Sequence, residues 1–279
     1  MLRLFWDHAG DGEPLVLLHG IGSTHADFAA LRPELDASFA VYAPDLPGQG
    51  SSEALSGPPT VTALADALEA DLDALGLPRV HLLGNSLGGR LALELASRGR
   101  ARSVVAIAPS GLGSFTERLY QGSVLGTSRL VMRPLRSLIE PASRFRLGRA
   151  ALLTGLRSMP WRASRAEAAA LKDGIAGTGD FWRLLWFAVL GDVPNRLGIS
   201  GIPVVLALGT ADLRAGGQTP RYRLLVPDAT FAPLLGAGHA PQSDRPAAIV
   251  ALVRHAVDAA HAAPAADVPS GTSPAITAQ

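Results

Sequence analysis

The sequence predicts an α/β architecture, a doubly wound and mostly parallel sheet into which a helical segment is inserted. Three observations carry this. Short apolar runs that end on turn residues recur through the N-terminal half, each too short for a helix. Helical stretches separate them, and strand alternating with helix builds a parallel sheet with helices on both faces. From about residue 113 to 200 the strand signal vanishes, and it returns at Ile202.

In chain order, Leu15–Leu18 runs into His19-Gly20, and Phe39–Ala43 runs into Pro44-Asp45. Val80–Leu83 runs into Gly84, and Val104–Ala108 into Pro109. Each run is apolar on both faces and partly β-branched, as a strand buried on both sides requires. Thr60–Leu75 places Val61, Leu64, Ala65, Leu68, Leu72 and Leu75 at helical spacing, with acidic residues mostly opposite; Leu87–Ser97 reads as a second helix. Residues 113–200 are rich in Arg, Leu, Ala and Gly, carry Trp161, Trp182, Trp186 and Phe187, and break at Pro134, Pro141, Pro160 and Pro194. Strands resume at Ile202–Leu208 and Thr230–Leu235, and a helix from Arg245 to about Ala260 closes the fold. The core is therefore expected at 1–112 and 201–262, the helical insertion at 113–200, and a disordered tail at 263–279, which is rich in Ala, Pro, Ser and Thr.

Composition narrows the function. The chain has 279 residues, 48% hydrophobic, with a formal net charge of +1. That is enough to bury a large core, and no global field favours nucleic acid or an acidic membrane surface. Cysteine is absent, which excludes a thiolate nucleophile and cysteine-ligated metal sites and fits a reducing compartment. The start lacks an apolar core of signal-peptide length, and no run is long enough to span a bilayer. The expectation is a soluble, cytoplasmic protein whose partner is a small-molecule substrate.

Gly84-Asn85-Ser86-Leu87-Gly88 matches the G-x-S-x-G pattern, between a strand and a helix. A serine nucleophile needs such a sharp turn, and small flanking residues let strand and helix approach. The helix that follows points its amide groups and positive dipole end at the site. Gly and Ser are common, so the pentapeptide alone could be a plain turn; its setting makes Ser86 the candidate nucleophile. His19-Gly20-Ile21-Gly22 follows a strand end, where fixed backbone N–H groups could hold a developing oxyanion. The expected donors are the N–H groups of Ile21 and Leu87, with His19 bracing the loop.

His239 lies in Gly236-Ala237-Gly238-His239-Ala240-Pro241, just after the last strand, where a general base can reach a serine. The other histidines fit less well: His8 and His261 lie near the ends, His81 precedes the nucleophile strand, His255 sits on the last helix, and His25 suits a surface role. Asp212, at the carboxyl end of the strand from Ile202, is the preferred partner to orient the imidazole. Asp228 and Asp244 are its rivals, Asp228 on a turn before the last strand and Asp244 where it could cap the final helix.

Five blocks together resemble the α/β-hydrolase superfamily, in its lid-bearing branch of esterases, lactonases and carbon–carbon bond hydrolases. They are His19–Gly22, Pro44–Ser51, Gly84–Gly89, Gly209–Asp212 and Gly238–Pro246, and the resemblance covers about residues 2–260. It implies the α/β-hydrolase fold, the order Ser86, Asp212, His239 for nucleophile, acid and base, a structural turn at Asp45, and a lid formed by the insertion. It also implies that the first strands usual in the superfamily are trimmed. Serine at 86 argues against epoxide hydrolase and haloalkane dehalogenase chemistry, which use aspartate there. Leu213-Arg214-Ala215 stands where the superfamily customarily has a proline.

The expected function is a serine hydrolase acting on a small apolar ester or lactone through an acyl-enzyme, with no metal or organic cofactor needed. The alternatives are a carbon–carbon bond hydrolase of a diketone-like ring-cleavage product and a non-hydrolytic cyclase. Arginines of the insertion, including Arg129, Arg133, Arg144 and Arg146, could bind a carboxylate, though a solvated face is the preferred reading.

Overall fold

A computed structural model describes residues 2–154, 157–191, 193–194, 196–214 and 217–262; the tail at 263–279 lies outside the described residues. Seven strands form one sheet: β1 (Trp6–Ala9), β2 (Glu13–Leu18), β3 (Phe39–Pro44), β4 (Val80–Asn85), β5 (Ala101–Ile107), β6 (Val204–Gly209) and β7 (Thr230–Leu234). Their spatial order is β1-β3-β2-β4-β5-β6-β7, with β1 antiparallel to β3 and every other neighbour parallel. This is the doubly wound sheet of the α/β-hydrolase fold. Strand β1 was not legible in the sequence: it is a four-residue edge strand with polar Asp7 and His8, so it lacks the apolar run that marks the central strands.

The core helices are α1 (Arg32–Leu35), α2 (Val61–Ala74) and α3 (Leu87–Ser97) before the insertion. The insertion lies between β5 and β6 and holds α4 (Phe115–Met132), α5 (Arg136–Ser143), α6 (Arg146–Leu153), α7 (Arg165–Ala170) and α8 (Phe181–Leu190). Then come α9 (Gln218–Tyr222), α10 (Pro241–Asp244) and α11 (Pro246–Ala262).

Strand alternation divides the core in two. Val16, Leu18, Leu82, Val104 and Leu206 face α2 and α3, against Leu64, Leu68, Leu91 and Leu95. Leu15, Leu17, Leu83, Val105 and Val205 face the other way, against Phe28, Leu35 and the α11 residues Ile249, Val253 and Val257. Full burial of one such side chain contributes about 2 kcal/mol, which fixes the strand register and hence where each strand end delivers its loop. Helix α2 starts on Thr60, whose hydroxyl accepts from the Ala63 N–H at 3.1 Å, and α4 starts on a Ser114–Glu117 capping box. Among the described residues no helix is long and apolar enough to cross a membrane.

Candidate active site

Ser86 sits between β4 and α3 with φ 57° and ψ −114°. This left-handed backbone is unusual for a residue with a side chain and marks stored strain. The neighbours enforce it. Ser86 N–H donates to the Ile107 carbonyl at 2.9 Å, and the Ser86 carbonyl accepts from Arg90 at 3.0 Å and Ser110 at 3.1 Å. A Cβ on Gly84 would stand 2.2 Å from the Gly88 carbonyl oxygen, and one on Gly88 would stand 1.9 Å from that of Leu18. Only hydrogen fits at either position, so the pattern's glycines are requirements of packing.

The loop after β2 lies against this turn. A Cβ on Gly20 would come within 3.2 Å of the Ser86 Cβ. His19 is fully buried; its Nε2 accepts from Leu46 N–H at 2.9 Å and its Nδ1 donates to the Gly20 carbonyl at 2.8 Å. Burial pushes its imidazole below its ordinary value, so it braces the loop in the neutral form. Gln49 adds a second brace, accepting from Gly22 N–H at 2.6 Å. The backbone N–H groups of Ile21 and Leu87 have no protein acceptor among the described residues.

His239 and Asp212 are joined, Nδ1 to Oδ2 at 2.8 Å. The Asp212 side chain is fully buried, and the His239 side chain is 14% exposed. The second Asp212 oxygen accepts from Arg214 N–H at 2.8 Å. Burial and then the nearby Arg214 guanidinium push His239 below the ordinary imidazole value, while Asp212 pulls it back up. The two loops interlock: Ala211 N–H donates to the Ala237 carbonyl at 2.9 Å, and Gly236 N–H to Thr210 Oγ1 at 2.9 Å. Ser86 and His239 open into one cavity but are not hydrogen-bonded to each other. Such a contact commonly tightens only when substrate arrives.

The rivals have other work. Asp228 is exposed in the turn before β7. Asp244 is buried and does not serve as the helix cap expected of it; its carboxylate accepts from Gly238 N–H at 2.9 Å and Met159 N–H at 3.2 Å. It thus holds the His239 loop from behind. Asp45 accepts from His25, through both its N–H and its ring, and from Ser51 N–H, all at 2.8 Å, as a structural turn requires.

The cavity above Ser86 measures about 1020 Å³, open mouth included. Leu125, Leu153, Leu171, Ile175, Leu185 and Val189 of the insertion form its apolar wall. Its polar lining includes Asp27, Arg118, Gln121, Arg157 and Arg214. None of the four insertion arginines singled out from the sequence lines it. Arg133, Arg144 and Arg146 are exposed. Arg129 departs from the solvated-face reading: it is buried, donating to the Ile175 carbonyl at 2.7 Å and the Thr178 carbonyl at 2.8 Å.

Sequence reasoning missed a buried network beside the site. Arg157 pairs with Asp27, Gln242 donates to Asp27 at 2.8 Å, and Asn85 Nδ2 donates to the His239 carbonyl at 2.9 Å. Asn85 and Gln242 were within legible motifs, at positions that looked free to vary. Asp27 and Arg157 are 130 residues apart and carry no local signal.

A strained serine on a strand–helix turn, a histidine–aspartate pair on the next strand ends and an adjoining amide-lined loop define a hydrolase of the α/β-hydrolase fold. The chain belongs to the alpha/beta hydrolase family, whose profile matches residues 15–252. It is 35% identical over 137 residues to the dihydrolipoyllysine-residue acetyltransferase component of the acetoin cleaving system of Pseudomonas putida, covering 48% of this chain and 37% of that one. It is 34% identical over 119 residues to the 2-hydroxy-6-oxo-6-phenylhexa-2,4-dienoate hydrolase of Burkholderia cepacia, covering 40% of this chain and 42% of that one. The match thus spans less than half the length of either curated relative. In structure it resembles the enol-lactonase of Burkholderia xenovorans, with a TM-score of 0.71 at 22% identity, covering 92% of this chain and 97% of that one.

Proposed function

We propose that this hydrolase transfers an acyl group from a small, apolar ester or lactone to water. Ser86 Oγ attacks the carbonyl carbon while His239 takes the hydroxyl proton, and Asp212 orients the imidazole and stabilises the imidazolium. The N–H groups of Ile21 and Leu87 hold the oxyanion. The intermediate collapses as His239 passes that proton to the leaving oxygen; His239 then takes a proton from water, whose oxygen attacks the acyl-enzyme, and returns it to Ser86 Oγ as the ester bond to Ser86 breaks and the acid is released. These steps call on no metal or organic cofactor. The observation that carries the proposal is the 2.8 Å His239–Asp212 bond opening into the same cavity as the strained Ser86. The apolar wall of that cavity supports a small apolar substrate. Balanced charge and absent cysteine support a cytoplasmic enzyme acting on small molecules rather than nucleic acid or membrane.

Labelling by a fluorophosphonate probe tests the nucleophile. Wild type labels at Ser86, and Ser86→Ala neither labels nor turns over p-nitrophenyl esters, with kcat down by about 10⁵-fold or more. A folded wild type that resists the probe would sink the proposal. Guanidinium groups on the cavity wall, together with the dienoate hydrolase relative, favour a second reading in which a substrate carboxylate is held while a carbon–carbon bond is cleaved. Turnover of such a dienoate, with none of p-nitrophenyl esters, would select it.

A further inference from the structure

The edge of the sheet opposite Ser86 carries a second group of ionisable side chains, which the proposed chemistry does not use. Glu13 opens β2, His81 is the second residue of β4, and His261 lies in the last turn of α11. One ligand atom from each lies within 4.8 Å of the other two. Glu13 Oε2 is 2.6 Å from His261 Nε2 and 3.6 Å from His81 Nε2.

His81 sets this cluster apart from a surface ion pair. It is 1% exposed, and its Nδ1 lies 2.8 Å from Ser103 Oγ on the neighbouring strand β5. Its Nε2 is buried and has no hydrogen-bond partner. With Nδ1–H donated to Ser103, the buried lone pair on His81 Nε2 faces an oxygen of the partly exposed Glu13 carboxylate, acceptor against acceptor. With the other tautomer, a separation of 3.6 Å is too long for a hydrogen bond. A cation between them removes the conflict in the first tautomer.

One fits after a small shift. Tetrahedral bonds of about 2.0–2.1 Å place ligand atoms roughly 3.4 Å apart; Glu13 Oε2 and His81 Nε2 stand near that at 3.6 Å, while the 2.6 Å hydrogen bond between Glu13 Oε2 and the exposed His261 Nε2 opens to admit the ion. Arg102 donates to Glu13 Oε1 at 2.6 Å and so leaves Oε2 turned inward, while Ser103 fixes the His81 ring, the outer support that metal ligands usually carry. Two imidazoles and one carboxylate suit zinc, cobalt or nickel better than magnesium or calcium. The geometry points to a divalent transition-metal site formed by Glu13 Oε2, His81 Nε2 and His261 Nε2, with water completing the tetrahedron. Because its ligands come from two central strands and the last helix, the metal staples α11 to the sheet and takes no part in catalysis.

The test uses tag-free full-length protein stripped with a chelator and dialysed. Titration with Zn²⁺ is expected to show one ion per chain, Co²⁺ to give the intense visible absorption of a tetrahedral complex, and Tm to rise with metal concentration by mass action. His261→Ala and Glu13→Gln should each lose the cobalt band and weaken Zn²⁺ binding by about tenfold or more. Ser103→Ala, which keeps all three ligands, should weaken it by about tenfold. Far-UV circular dichroism checks that each variant folds, and ester turnover should stay at the wild-type rate in all three. A wild type that takes up no metal would overturn the site, as would Zn²⁺ affinity that is the same in wild type, His261→Ala and Glu13→Gln.

Discussion

The floor and the roof of the cavity are built by different means. The floor consists of loops from the ends of β2, β4, β6 and β7, packed on one another so closely that backbone atoms leave no room for a Cβ at Gly84, Gly88 or Gly209. A Cβ on Gly209, for example, would meet the carbonyl oxygens of Ala237 and Gly238 at 2.2 Å. The roof is the insertion, whose helices and connecting turns meet the floor through side chains and scattered hydrogen bonds. Ile175 rests on Gly22, Arg157 reaches Asp27, and Asp180 N–H donates to the Gly48 carbonyl at 3.4 Å. Most of the exposed large apolar side chains also lie in the insertion, Leu130, Phe145, Leu147, Trp161 and Trp186 among them. Under the proposed function, the contrast assigns the chemistry to tightly packed strand-end loops and the shape offered to substrate to the side chains of the insertion.

The largest effect expected from the floor is at the acid. Asp212→Asn should lower kcat by about 10⁴-fold, whereas Asp244→Asn should lower Tm and leave kcat within an order of magnitude; steady-state kinetics with p-nitrophenyl esters separates the two. A greater kcat loss in Asp244→Asn would reverse their roles. The next effect is at the joint between floor and roof. Arg157→Gln leaves Asp27 buried without its cation and should cost about 3 kcal/mol of stability, with the double change Asp27→Asn, Arg157→Gln milder in the same denaturant titration. A roof substitution should act more gently and on specificity. Val189→Trp should raise KM about tenfold for long acyl chains and little for acetate, since a methylene in an apolar pocket is worth about 1–3 kcal/mol. Equal loss on every substrate would mean that the roof also holds the floor in place.

The smallest change concerns protons. In the proposed role of base His239 must be neutral, and its pKa is pushed down chiefly by burial. Activity should therefore hold as pH falls through the ordinary histidine range near 6.5 and disappear only below it. An acid limb of kcat/KM centred above that value would contradict the buried setting of the ring.

The same contrast explains what could be read from the chain. The floor loops are written as short motifs because their constraints are local: a glycine that must lack a Cβ, a serine between strand and helix, a histidine after the last strand. The central strands announced themselves by two-sided burial, and β1 did not because it is an edge. The roof obeys constraints between distant residues. Arg129 looks like any surface arginine until the Ile175 and Thr178 carbonyls fold around it. Asp27 meets Arg157 only in the folded chain, and Asp244 has the sequence position of a helix cap while its long-range partners, Gly238 and Met159, leave no trace in spacing.

The Asn85 side chain holds the His239 carbonyl across 154 residues of sequence, and β6 and β7 pair with the sheet only after the whole insertion has been made. A chain growing from its N-terminus completes the strand and helix around Ser86 long before the strands that bring Asp212 and His239 exist. Half-made product on the ribosome would carry the proposed nucleophile without its proposed base and, on that proposal, stay inert. The proposed hydrolytic activity depends on the docking of the chain from β6 onward, so its appearance in refolding should report the slow, non-local closure of the sheet rather than the early helices.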